Sequence, residues 1–93
     1  MELTNIPGVG FSIANDLREL GYRSVEELRG ADAEQMFEDL CANKGVRVDR
    51  CVLYVFRCAT YFAETDNPDP RLLKWWNWKA SRRDVLRAQE ASG

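Results

Sequence analysis

Residues 50–64, RCVLYVFRCATYFAE, constrain the fold of this chain more than any other stretch. Val52, Val55, Phe56, Ala59, Phe62 and Ala63 recur at the i, i+3, i+4, i+7 spacing of a buried helical face, and Cys51, Tyr54, Cys58 and Tyr61 widen it. Arg50, Arg57, Thr60 and Glu64 leave only a narrow polar stripe. A helix this apolar nearly all round has to be central and wrapped by others. Asp49 can cap its start, and Arg57 reads as a structural ion-pair partner. A chain of 93 residues has room for one such core.

The flanking sequence supplies the wrapping helices. Ile13, Ala14, Leu17 and Leu20 predict a helix from Phe11 or Ser12 to Leu20, with Gly21 able to end it in the left-handed conformation. Ser24-Val-Glu-Glu27 has the form of a capping box for a short helix to about Arg29, stopped by Gly30. Asp32 with Gln35 signals a further start, and Met36, Phe37, Leu40 and Cys41 form the inward stripe of a helix ending near Asn43. Thr65 to Pro70 breaks the pattern, and Pro70 suits the first position of a short helix containing Leu72, Leu73, Trp75 and Trp76. Ser81 and Asp84 can cap a last helix from Arg82 to about Glu90, with Ala88 to Gly93 expected to fray. Strand periodicity is absent. The expectation is an all-α protein: a five-helix domain over 1–64, then a Trp-rich clasp and a short basic helix over 65–93 packed on the same core.

Several function classes are excluded by what the chain lacks. There is no His, no CxxC pair, no Walker sequence and no carboxylate pair at helical spacing in an apolar setting, so neither an enzyme, a metal site nor a cofactor site is expected. Cys41, Cys51 and Cys58 are odd in number, and about 10.5 Å of helical rise separates the last two, too far for a disulfide. Reduced thiols filling helix interfaces are the expectation. No apolar run approaches ~20 residues, and MELTNIPG is not a signal peptide, so no membrane partner and a cytoplasmic location are expected.

The net charge of −2 is not that of a nucleic-acid binder, yet its distribution is uneven. Residues 1–43 carry three Lys/Arg against nine Asp/Glu, and residues 44–93 carry ten against six, giving −6 and +4. A phosphate-facing surface would therefore draw its cations from the second half.

Two turns hold the binding candidates. Pro7-Gly8-Val9-Gly10 precedes the first helix, where two glycines permit positive φ and expose backbone N–H groups; Ser12 adds a hydroxyl, and no cation follows. Gly45 turns the chain a second time among Lys44, Arg47 and Arg50. It is either a degenerate version of the first turn or a plain helix C-cap with solvated charges. Trp75, Trp76 and Trp78 lie between Lys74 and Lys79, a pattern that either stacks nucleic-acid bases or closes the core. Trp75 and Trp76 are expected to be buried, leaving Trp78 as the stacking candidate. Arg82, Arg83 and Arg87 make the last helix basic on part of its surface.

LTNIPGVGFSIANDLREL resembles the helix-hairpin-helix motif of DNA-binding proteins, and the order turn, connector, turn resembles the tandem form that grips phosphates on both sides of a minor groove. With GVRVDRCVLYVFRCATYFAE and KWWNWK, residues 3–79 look like the pathogenicity-locus family of small bacterial helix-hairpin-helix proteins; a weaker similarity reaches the C-terminal domain of competence regulators. IPGVG also occurs in base-excision DNA glycosylases, but Ser12 stands where the bifunctional ones carry a nucleophilic Lys, and the chain is too short for their two-domain cleft. The resemblance implies a small all-helical bacterial module that binds DNA or another protein, and the first expectation is a non-catalytic, sequence-independent DNA-binding module. Gly8, Val9, Gly10 and Ser12 would meet one strand, and Lys44, Gly45, Arg47 and Arg50 the other. A protein-interaction module that keeps the hairpin for structure is the alternative.

Overall fold

In the computed structural model, the backbone is described for residues 1–92 and the side chains for residues 1–88; the fraying expected from Ala88 onward does not occur up to Ser92, where the backbone remains helical, and Gly93 lies outside the described residues. Four α-helices are present: α1 (Phe11–Glu19), α2 (Ala33–Lys44), α3 (Arg50–Glu64) and α4 (Arg82–Ser92). The expectation of five is corrected because the connectors wind as 3₁₀ turns, at Leu3–Asn5, Val25–Leu28, Pro70–Leu73 and Trp75–Trp78. No strand occurs among the described residues.

Most helix boundaries follow from their caps. Asp32 Oδ1 accepts from the N–H groups of Glu34 and Gln35 at 3.0 and 3.3 Å, and Asp49 Oδ1 from that of Cys51 at 2.8 Å. Pro70 occupies the first turn of its 3₁₀ segment behind an Asp69 cap. Ser81 Oγ accepts from the N–H of Asp84 at 3.3 Å. The capping box expected at Ser24 does not form: Ser24 makes no cap bond, and Glu27 Oε2 accepts from Arg23 N–H at 3.2 Å instead. A single 3₁₀ turn is too short to bring the two side chains into reciprocal register.

α3 is central, as its composition demands, and touches two apolar clusters. Phe56, Ala59 and Leu53 meet α1, α2 and the N-terminal turn through Leu17, Phe37, Leu40 and Leu3. On the other side Cys58 and Tyr61 meet Leu72 and Trp78. Arg57 and Thr60, expected on a polar stripe, are buried, Arg57 beneath residues 78–80. Arg57 does form the expected ion pair, to Glu34 at 2.8 Å. Its guanidinium also donates to the carbonyls of Trp78, Lys79 and Ala80 at 2.9, 3.2 and 3.0 Å, closing the end of the Trp-rich turn. Burial pushes the Cys58 thiol up to about 11, so it packs as an inert apolar group. Cys51 is exposed, contrary to the expectation of interface burial.

Candidate nucleic-acid interface

The first turn is built by Gly8 alone. Its φ is +87°, whereas Gly10 is extended at φ −93°, ψ −170°, which corrects the expectation that both glycines need the left-handed region. A Cβ on Gly8 would meet Trp75 Cδ1 at 3.1 Å, so the indole of Trp75 lies against the turn. Val9 is buried in the core and its N–H is bonded to Ile6 O at 3.0 Å, which removes it from the donor set. Gly10 matters for what it lacks. It is the N-cap of α1 and has no side chain to satisfy that helix start. The first helical bond there runs from Ala14 N–H to Gly10 O at 2.9 Å. Among the described residues, the N–H groups of Gly10, Phe11, Ser12 and Ile13 therefore meet no protein acceptor. Ser12 is exposed beside them, and the helix dipole adds positive potential.

At the second turn the glycine amide is already satisfied. Gly45, at φ +71°, ends α2 and gives its N–H to Cys41 O at 2.9 Å, so its amide is not available as the sequence suggested. Lys44 Nζ lies 3.2 Å from Asp16 Oδ1 on α1, offsetting the one carboxylate partly buried near the first turn. Arg47 pairs with Glu38 at 3.3 Å on an open surface, and the hydrogen bond to that carboxylate raises its pKa further. Asp49 caps α3, and its bond to the Cys51 amide holds its carboxyl below the ordinary range, leaving a negative charge at that helix start. Arg50 is exposed and has no ion pair among the described residues.

The Trp-rich segment reverses the expected burial. A 3₁₀ turn repeats every three residues, so Trp75 and Trp78 point the same way and Trp76 points away. Trp78 is 0% exposed; its Nε1–H donates to Leu72 O at 2.8 Å and its ring centroid lies 5.3 Å from that of Tyr61. Base stacking on Trp78 is thereby ruled out. Trp76 is 50% exposed and meets Trp75 edge-on at 5.7 Å. Lys74 and Lys79 on either side are exposed. Lys79 reaches the start of α3, where its charge acts on the Cys51 thiol against the larger, pKa-raising effect of Asp49.

Two exposed aromatics were thus missed in the sequence. Phe11, 86% exposed, begins α1 beside the free amides, and its signal was its place outside the Ile13-Ala14-Leu17-Leu20 stripe. Trp76 is hidden in the sequence because Leu72, Leu73, Trp75 and Trp76 form one helical stripe, which the extended Lys74 breaks into two 3₁₀ turns.

Comparison with known proteins agrees with the scale of this architecture. The model of the Cdd1 pathogenicity-locus family matches residues 1–84. The chain is 29% identical over 85 residues to the mitomycin resistance protein McrB of Streptomyces lavendulae, covering 91% of this chain and 77% of that protein. No solved structure matches.

Proposed function

The chain belongs to the Cdd1 pathogenicity-locus family, and for this member we propose a non-catalytic, sequence-independent DNA-binding module of the helix-hairpin-helix kind, acting in the cytoplasm. One observation carries the reading. α2, α3 and α4 each begin with a side-chain oxygen bonded to a free N–H, whereas α1 begins with a glycine and leaves its four amides open. A phosphate oxygen is the ligand such a start suits, because it accepts several N–H bonds at once and is favoured by the dipole. Gly8 and Gly10 shape this cradle and Ser12 completes it. Lys44, Arg47 and Arg50 contribute field from the second turn, whose glycine amide is already bonded. No helix among the described residues is long and apolar enough to cross a membrane.

Fluorescence anisotropy of a labelled oligonucleotide duplex at low and near-physiological salt, for the native protein and Gly10→Asp, tests this. Micromolar binding that weakens steeply with salt and drops at least tenfold in Gly10→Asp supports the cradle. An unchanged affinity in that variant sinks it.

The exposure of Phe11 favours a second reading, a protein contact made by the same turn. Such a contact tolerates salt and is lost in Phe11→Ala.

A further inference from the structure

Resting on the phosphate reading of the first turn, we propose that the preferred ligand is a single-stranded or locally unpaired nucleic acid, whose bases stack on Trp76 while its phosphates lie on the amides of Gly10 to Ile13. Four observations converge. Half of the Trp76 surface is open to solvent, whereas Trp78 is fully buried and Trp75 packs half-buried against the core. Trp76 is anchored to the cradle: Trp75 rests on Gly8, and Trp76 rests on Trp75. Through these contacts the exposed ring lies within about 12 Å of the Gly8 Cα. The second exposed ring, Phe11, belongs to the cradle itself, three residues beyond Gly8. Finally, the flanking charges suit a polyanion: Lys74 and Lys79 are exposed, and neither is held in an ion pair among the described residues.

The chemistry distinguishes the two forms of DNA. In an intact duplex the base faces are covered by their neighbours, so only phosphates are offered and Trp76 contributes nothing. An unpaired strand offers both, and each stacked base adds ~1–3 kcal/mol, about tenfold in affinity. Base stacking has no sequence requirement, in keeping with a site that lacks any side chain arranged to read base edges.

Anisotropy with labelled dT12 and a 12-base-pair duplex, at one fixed low salt concentration, decides the matter for the native protein, Trp76→Ala and Trp76→Phe. The expected result is a several-fold preference for dT12, lost in Trp76→Ala through a roughly tenfold fall for dT12 and less than twofold for the duplex, and mostly kept in Trp76→Phe. Intrinsic fluorescence should be quenched by dT12 much more strongly in the native protein than in Trp76→Phe, since Trp78 is buried and Trp75 is half-buried. Equal affinities for the two forms, or a dT12 affinity indifferent to Trp76→Ala in a variant with native melting behaviour, overturns the stacking proposal while the phosphate reading stands. Absence of binding to either oligonucleotide at that low salt concentration overturns both and leaves the aromatic surface to a protein partner.

Discussion

The two glycine turns of this chain divide between them what a phosphate site requires. The first has the donors: α1 starts at a residue with no side chain, and its amides are unpaired. The second has the cations, but its glycine N–H is bonded to Cys41 O and an aspartate, Asp49, already caps α3. A likeness in residue type, Gly before a helix, conceals opposite chemistry. The N-cap residue decides it: an aspartate fills the helix start and repels an anion, and a glycine leaves it open. Lys44 is the physical link between the turns. It spans from the end of α2 to Asp16 of α1, and so neutralises the carboxylate that would otherwise oppose an anion at the first turn.

The largest expected effect separates the two glycines by stability. Gly8 combines a left-handed φ of +87° with Trp75 only 3.1 Å from a new Cβ, whereas Gly45 has the φ without any neighbour within 4 Å. Gly8→Val should therefore cost about 3 kcal/mol and Gly45→Ala about 1 kcal/mol, read from urea unfolding. Equal losses would show that Trp75 does not press on the first turn. Next in size is the exchange of caps. Gly10→Asp should stabilise the fold by about 0.5–1 kcal/mol while it weakens DNA binding, an opposition of sign that a purely structural turn would not show. Asp49→Gly should lower the urea midpoint slightly and leave DNA binding unimpaired. Smaller again is the loss of the second turn's charge. Arg47→Ala with Arg50→Ala should reduce the salt dependence of binding by one to two contacts' worth, with little change in stability because the Arg47–Glu38 pair is exposed.

What the sequence made legible was whatever depended on local chemistry. The Asp32, Asp49 and Pro70 starts, the left-handed Gly45 end and the central place of α3 all follow from residues within one helical turn of each other. What stayed hidden depended on winding and on distant partners. The segment 70–78 has the composition of one apolar helix with Leu72, Leu73, Trp75 and Trp76 on a stripe, and the extended Lys74, which splits it into two 3₁₀ turns, exchanges the roles of Trp76 and Trp78. Arg57 looks solvent-facing until residues 78–80 fold over it. At the first turn the glycine pattern located the cradle but not its division of labour, because the reason Gly10 is glycine lies in the capping of α1 and not in the turn.

Acid provides the smallest and most selective contrast, since only one of the two turns has a titrating cap. The Cys51 amide holds the Asp49 carboxyl below its ordinary range, so Asp49 adds stability that is fully present above its unfolded pKa and is lost as pH falls through the folded value. Asparagine caps a helix through a neutral oxygen and lacks that dependence. The native protein should therefore melt above Asp49→Asn near pH 6, and the gap should narrow as the pH drops below about 3.9. Gly10→Asp introduces the same titration at α1, so in that variant acid should erase the added stability and restore phosphate affinity together. Thermal melts and anisotropy over one pH series follow both. If stability and affinity part company there, the carboxylate of Gly10→Asp is not occupying the amides, and the open start of α1 is not where phosphate binds.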